Sequence, residues 1–177
     1  TQLLIRKLKA PILEEIVECF RSVKQTSSQT RDEEKLLVLF QDHLARIPQW
    51  TEGKIEEVTH RIISTAHCDF LEDILFAVFI LHTRIFDAVQ PAPESETKHK
   101  ITFPNLKNFV FHTLINTARE NWKYVYLFRE ASDSCEYQKN RNQCEKMVEE
   151  CISNTITEML PVKEILLEHI GKYSILD

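Results

Sequence analysis

Apolar residues recur every three or four positions over most of the chain, the pattern of helices that bury one face. Pro11 suits a first helical turn, where its missing N–H is harmless. Ile12, Ile16, Phe20 and Val23 follow at helical spacing, which predicts a first helix over about 11–24. The polar stretch QTSSQT (25–30) reads as a loop, with Thr30 capping a second helix and Glu33, three residues on, as its box partner. Leu36, Leu37, Phe40, Leu44 and Ile47 form the stripe of that helix, which Pro48 stops. Thr51 opens a third, in which Ile55, Val58 and Ile62 share a face as far as about Ala66.

The segment from Asp69, DFLEDILFAVFILHTRIFDAV, is the most apolar. Leu71, Leu75, Val78, Phe79 and Phe86 lie on a broad apolar face that Ala77, Ile80 and Leu81 extend most of the way round. Such a helix is expected at the centre of a bundle. Residues 90–100, QPAPESETKHK, hold two prolines and no periodicity, and are expected to form an exposed connection. A fifth helix is expected from Pro104 to about Trp122, carried by Leu106, Phe109, Val110, Leu114 and Ala118. WKYVYLF then reads as a helix end and turn, despite side chains that favour strands. A long sixth helix runs from Glu136 to Pro161, which can itself open a last helix bearing Ile165, Leu166 and Ile170 and capped by Gly171. The sum is a single all-α domain over 1–177, a compact bundle of six or seven helices without internal repeats.

Composition narrows the functions such a bundle can have. Two glycines in 177 residues are too few for a phosphate-cradling loop. With 43% hydrophobic and 28% charged residues the chain is globular in character, and its net charge of −5 argues against a nucleic-acid binder that relies on bulk electrostatics. Five cysteines, none in a C-x-x-C pair, suit a reducing compartment and speak against a disulfide framework or zinc ribbon. No apolar run approaches the roughly 20 residues of a membrane span. The opening residues, Thr1–Ala10, lack both an initiator Met and a signal-peptide pattern, and are read as a processed or trimmed terminus belonging to the domain.

Catalytic patterns are missing: there is no H-E-x-x-H, no G-x-S-x-G and no Asp-x-Asp metal loop, so no catalytic residue, metal ligand or cofactor is expected. His60 and His67 stand two helical turns apart, about 10.5 Å, too far to share one metal, and read as a surface pair. His82 and His112 are expected to be buried and hydrogen-bonded, and Cys19, Cys144 and Cys151 to pack as small hydrophobes. The acidic pairs Glu14–Glu15, Glu33–Glu34, Glu56–Glu57, Glu72–Asp73 and Glu149–Glu150 read as solvated helix faces.

Charge is unevenly spread. Residues 98–129 hold Lys98, Lys100, Lys107, Arg119, Lys123 and Arg129 against Glu120 alone, whereas residues 25–97 hold six basic and 13 acidic side chains. In the basic stretch Trp122, Tyr124 and Tyr126 alternate with other residues. Three readings stay open for this region. It can fold onto the bundle, it can form a protein interface built on Trp, Tyr and Arg, or it can bind single-stranded nucleic acid by stacking and phosphate pairing. The residues at issue are Lys98, Lys100, Lys107, Arg119, Trp122, Lys123, Tyr124, Tyr126 and Arg129.

Four stretches, IPQWTEGKIEEVTHRI, CDFLEDILFAVFILHTRIF, ITFPNLKNFVFHTLINTARENWKYVYLF and EYQKNRNQCEKMVEECISNTITEMLPVKEILLEHI, together cover about residues 47–170. In this order they resemble a family of small virion-associated proteins of the nucleocytoplasmic large DNA viruses. The resemblance implies a place in the virion, and in the host cytoplasm during assembly. Joined to the absence of a catalytic pattern, it suggests a minor capsid or inner-lattice protein that cements the coat, with other capsid proteins or copies of itself as partners. A nucleic-acid-associated factor in viral transcription or genome packaging is the alternative. A helical modulator of host signalling is weaker, because no N-W-G-R-like helix start is present.

Overall fold

The computed structural model describes residues 1–27, 32–89 and 102–162, and over these the chain is helix and turn without a strand. Six helices, α1 (Gln2–Thr26), α2 (Glu33–Arg46), α3 (Glu52–Thr65), α4 (Leu71–Val89), α5 (Leu106–Lys123) and α6 (Ser134–Glu158), are joined with two 3-10 turns, Ile47–Gln49 and Val125–Phe128. The all-α bundle that the periodicity predicts is the fold that forms. Thr30, the connection from 90 to 101 and all of the expected last helix beyond Val162 lie outside the described residues.

The first helix starts nine residues ahead of the expected position, and Pro11 sits inside it. Its ring forgoes the hydrogen bond an ordinary residue would give to the carbonyl four positions back. The helix continues because Leu4, Leu8, Ile12 and Ile16, at steps of four, are all fully buried on one side. Pro11 is buried among them. From this post α1 packs against α2, α3, α4 and α6, and α5 packs against the same four helices.

The helix ends follow local chemistry, with some corrections to the expected positions. Asp32 caps α2, its carboxylate accepting from the N–H groups of Glu34 and Lys35. Asn105 caps α5, so the helix begins after Pro104 and not at it. At α6, Asp133 accepts the Glu136 N–H at 2.8 Å, while the Glu136 carboxylate accepts from both the N–H and the hydroxyl of Ser132. These bonds start the helix at Ser134, two residues before the expected start. His67 closes off α3 with a φ of 45°, the left-handed conformation that glycine more often supplies.

The position of α4 overturns the expectation that it is central. Leu71, Leu75, Val78 and Phe79 face inward, with Phe79 stacked on Phe103 and edge-on to Phe109. On its two flanks Phe76 and Leu81 remain 53% and 57% exposed, Phe76 lying edge-on to Phe103 at 5.6 Å. The helix lies at the margin of the bundle, on α1 and α5. Its apolarity all round reflects a second face, left exposed among the described residues, and not a central position.

Glu15 is a further correction to the reading of the acidic pairs as solvated. It is buried, and Arg61 of α3 grips it with both arms, Nε to Oε2 at 3.0 Å and Nη2 to Oε1 at 2.8 Å. Arg61 also reaches Glu57 at 3.2 Å, and these carboxylates raise its pKa further above the ordinary arginine value. Truncating one partner of such a pair leaves the other charge without compensation. Because Arg61 is half-exposed, R61A is expected to lower the unfolding free energy by about 2 kcal/mol, less than a fully buried pair would cost. A urea titration checks this, and a loss below about 0.5 kcal/mol would show that water satisfies Glu15 without the arginine.

Candidate functional site

The most concentrated exposed chemistry lies where α5 ends. The carbonyl of Trp122 accepts the side-chain amide of Gln41 at 2.9 Å, which ties the end of α5 to α2. Tyr124 then leaves the helix, its N–H bonded back to the Glu120 carbonyl, and the chain enters the 3-10 turn Val125–Phe128. The turn divides its residues between core and solvent. Leu127 is buried, and Phe128 joins Phe20 of α1 and Phe40 of α2 in a cluster with ring centroids 4.8–5.5 Å apart. Trp122 and Tyr126 are 47% and 50% exposed, and Tyr124 meets Tyr126 edge-on at 6.2 Å. WKYVYLF therefore folds onto the bundle through one set of residues and presents aromatic rings through the other.

Two grooves flank this rim. One, of about 550 Å³, runs over the end of α5 between Leu44 and Pro48 on one side and Asn154 of α6 on the other, and is lined by Arg119 and Trp122. The second, of about 720 Å³, lies across the turn, with Phe20, Leu36, Phe128, Arg129 and Tyr137 in its wall. The sequence singled out the α5 and turn residues of these walls. It did not single out Leu44, Pro48, Phe20, Leu36 or Tyr137, which come from distant segments and read locally as core or surface positions of their own helices.

The basic stretch does not gather into one patch. Lys98 and Lys100 lie outside the described residues. Lys107 stands at the other end of α5, sixteen residues and about 24 Å from Lys123, and is bound to Glu52 and Glu56 of α3. Those carboxylates raise its pKa, the Glu52 hydrogen bond contributing most. Lys123 pairs with Glu120 at 2.5 Å, which likewise raises its pKa. Arg119 and Arg129 are exposed and form no ion pair with another described residue. Along the segment of the aromatic rim the charges of Arg119, Lys123 and Arg129 are offset in number by Glu120 and Glu130, so little net positive charge remains.

The histidines and cysteines separate into ordinary roles. His60 and His67 are exposed, as expected of a surface pair, but so is His112, contrary to its expected burial. His82 is half-buried, with Nε2 3.4 Å from the Thr1 hydroxyl. Cys19, Cys144 and Cys151 are buried. Burial pushes the Cys19 thiol up to about 12 and the other two up to about 11. Among the described residues no three His, Cys, Asp or Glu side chains stand close enough to hold a metal ion, and no helix is long and apolar enough to cross a membrane.

Compared with known proteins, residues 1–129 match the model of a family of unknown function (DUF5764). No curated protein and no solved structure matches the chain.

The thiol environments predict an order of reactivity. Cys135 is exposed and is expected to react first with a thiol reagent near neutral pH, the partly buried Cys68 more slowly. Cys19, Cys144 and Cys151 are expected to react only on unfolding. Peptide-resolved mass spectrometry of the labelled chain checks this, and labelling of Cys19 as fast as Cys135 in the folded protein would contradict it.

Proposed function

The chain belongs to that family of unknown function, and from its own surface we propose that it is a non-catalytic helical protein that binds other proteins at the aromatic end of α5. The observation that carries this reading is the exposed set Trp122, Tyr124 and Tyr126, held at the helix end and the turn after it between two grooves, with Arg119 and Arg129, which pair with no other described residue, beside it. Trp, Tyr and Arg are the residues that most often anchor protein interfaces, because they combine large apolar area with a polar tip. Within this reading we place the protein in the particle of a large DNA virus as a minor capsid or inner-lattice component. The resemblance of residues 47–170 and the lack of a recognisable catalytic pattern support that placement. Its partners are other coat proteins or further copies of the chain.

The single-stranded nucleic-acid alternative gains less from the geometry. Stacking rings are present, but two of the cations it would use, Lys107 and Lys123, are engaged by carboxylates of the same chain. Binding by counterion release needs several free cations along one track.

Stripping purified particles layer by layer with detergent and salt, and following the protein by mass spectrometry, tests the placement. Release together with outer coat proteins is expected; recovery with the genome core, or absence from particles, would contradict it. For the surface itself, W122A combined with R119E is expected to lower incorporation about tenfold or more while the helical circular-dichroism signal is unchanged. Normal incorporation of the double variant would move the interface elsewhere.

A further inference from the structure

The exposed face of α4 has an order that a loosely greasy surface would not have. Asp73, Ala77, Ile80 and Arg84 follow one another along the middle of the outward side, with Phe76 on one flank and Leu81 on the other. Of these only Ile80 is even half-buried; the rest are exposed. The stripe lies opposite Leu71, Leu75, Val78 and Phe79, which hold α4 on the bundle. Neither Asp73 nor Arg84 forms an ion pair with another described residue.

We propose that this face is a two-fold interface through which two copies of the chain associate with their α4 helices antiparallel. The argument is the symmetry of the chemistry about the point midway between Val78 and Phe79. Turning a second copy end for end about that point brings Asp73 level with Arg84 of the second copy, Ala77 level with Ile80, and Phe76 level with Leu81. One Asp73–Arg84 pair then forms at either end of the contact, each copy supplying the aspartate of one pair and the arginine of the other, the self-complementary arrangement that a two-fold axis requires. The small Ala77 side chains at the crossing let the helices approach, while the Ile80 side chains fill the space beside them and the Phe76 and Leu81 side chains close the flanks. A parallel arrangement would set Asp73 against Asp73 and Arg84 against Arg84, so the charges select the antiparallel one.

One pair of helix faces lies at the small end of stable interfaces, so the dimer is expected to dissociate in the micromolar range. The inference goes beyond the proposed function and does not rest on it, since α4 and the aromatic end are different surfaces. W122A is accordingly expected to dimerise like the unaltered chain.

Sedimentation equilibrium of the full chain, from about 1 to 500 µM, tests the proposal. A reversible monomer–dimer equilibrium is expected, weakened at least tenfold by L81K. D73R and R84D alone are each expected to weaken it, because each places like charges opposite one another. Together they are expected to restore it to within about threefold, because the pair is re-formed with its signs exchanged. The double variant places an arginine in the first turn of α4 and removes one nearer its end, so its thermal stability is expected to fall while dimerisation recovers. A merely structural effect would move both quantities the same way. A chain that stays monomeric throughout the range overturns the proposal, whether Phe76 is then found open to solvent labelling or covered by another part of the same chain. A dimer indifferent to all three substitutions, or a double variant no better than the single ones, overturns it as well.

Discussion

The uninterrupted burial of α1 is the constraint on which the bundle rests. Contacts along its length reach α6, α4, α3 and α2: Lys9 pairs with Glu145 and Glu149, Thr1 at its N-terminal cap lies against His82, Glu15 takes Arg61, and Phe20 meets Phe40. Pro11 sets a measure of how strong this burial is. A proline inside a helix costs about 3 kcal/mol. Burying Leu4, Ile5 and Leu8 on its far side contributes about 5–9 kcal/mol at the usual value for aliphatic side chains, enough to carry the helix through.

The surfaces available for function follow from what this packing leaves uncovered. α5 lies among the same four helices as α1, so its end and the turn after it are fixed on both sides, and the rings that do not pack must face solvent. Among the described residues α4 is fastened to α1 and α5 by one face. Meanwhile part of the charge asymmetry along the chain is neutralised within the molecule, because Lys107 of the basic stretch is bound by Glu52 and Glu56 of the acidic one. What remains outside is aromatic and apolar surface with a few arginines that pair with no described residue, a chemistry suited to protein contacts more than to polyanions.

Much of the fold was legible in the periodicity. α2, α3 and α5 end within a residue or two of where Pro48, Ala66 and Trp122 indicate, because Pro48 stops α2 and the apolar stripes of α3 and α5 run out there. The start of α1 was not legible, since Pro11 carries a local meaning, helix start, that the burial of distant partners overrides. The margin position of α4 was hidden for a different reason. A helix apolar on all sides does not state which side its own chain covers, and Phe76 and Leu81 look the same in sequence as Phe79 and Leu75. Of the candidate site, Trp122, Tyr124, Tyr126, Arg119 and Arg129 were visible as composition, whereas the grooves beside them depend on Leu44, Pro48, Phe20 and Tyr137, which only the tertiary structure brings near.

The central claim is that the exposed aromatic end of α5 is a protein-binding surface. Hydroxyl-radical footprinting of the chain, free in solution and within purified particles, tests it at the level of single side chains. In the free chain Trp122 and Tyr126 are expected to oxidise readily, as their half-exposure requires. In particles both are expected to be protected, while an exposed residue away from the site, such as His60, oxidises equally in the two states. Equal oxidation of Trp122 and Tyr126 in both states would contradict the account.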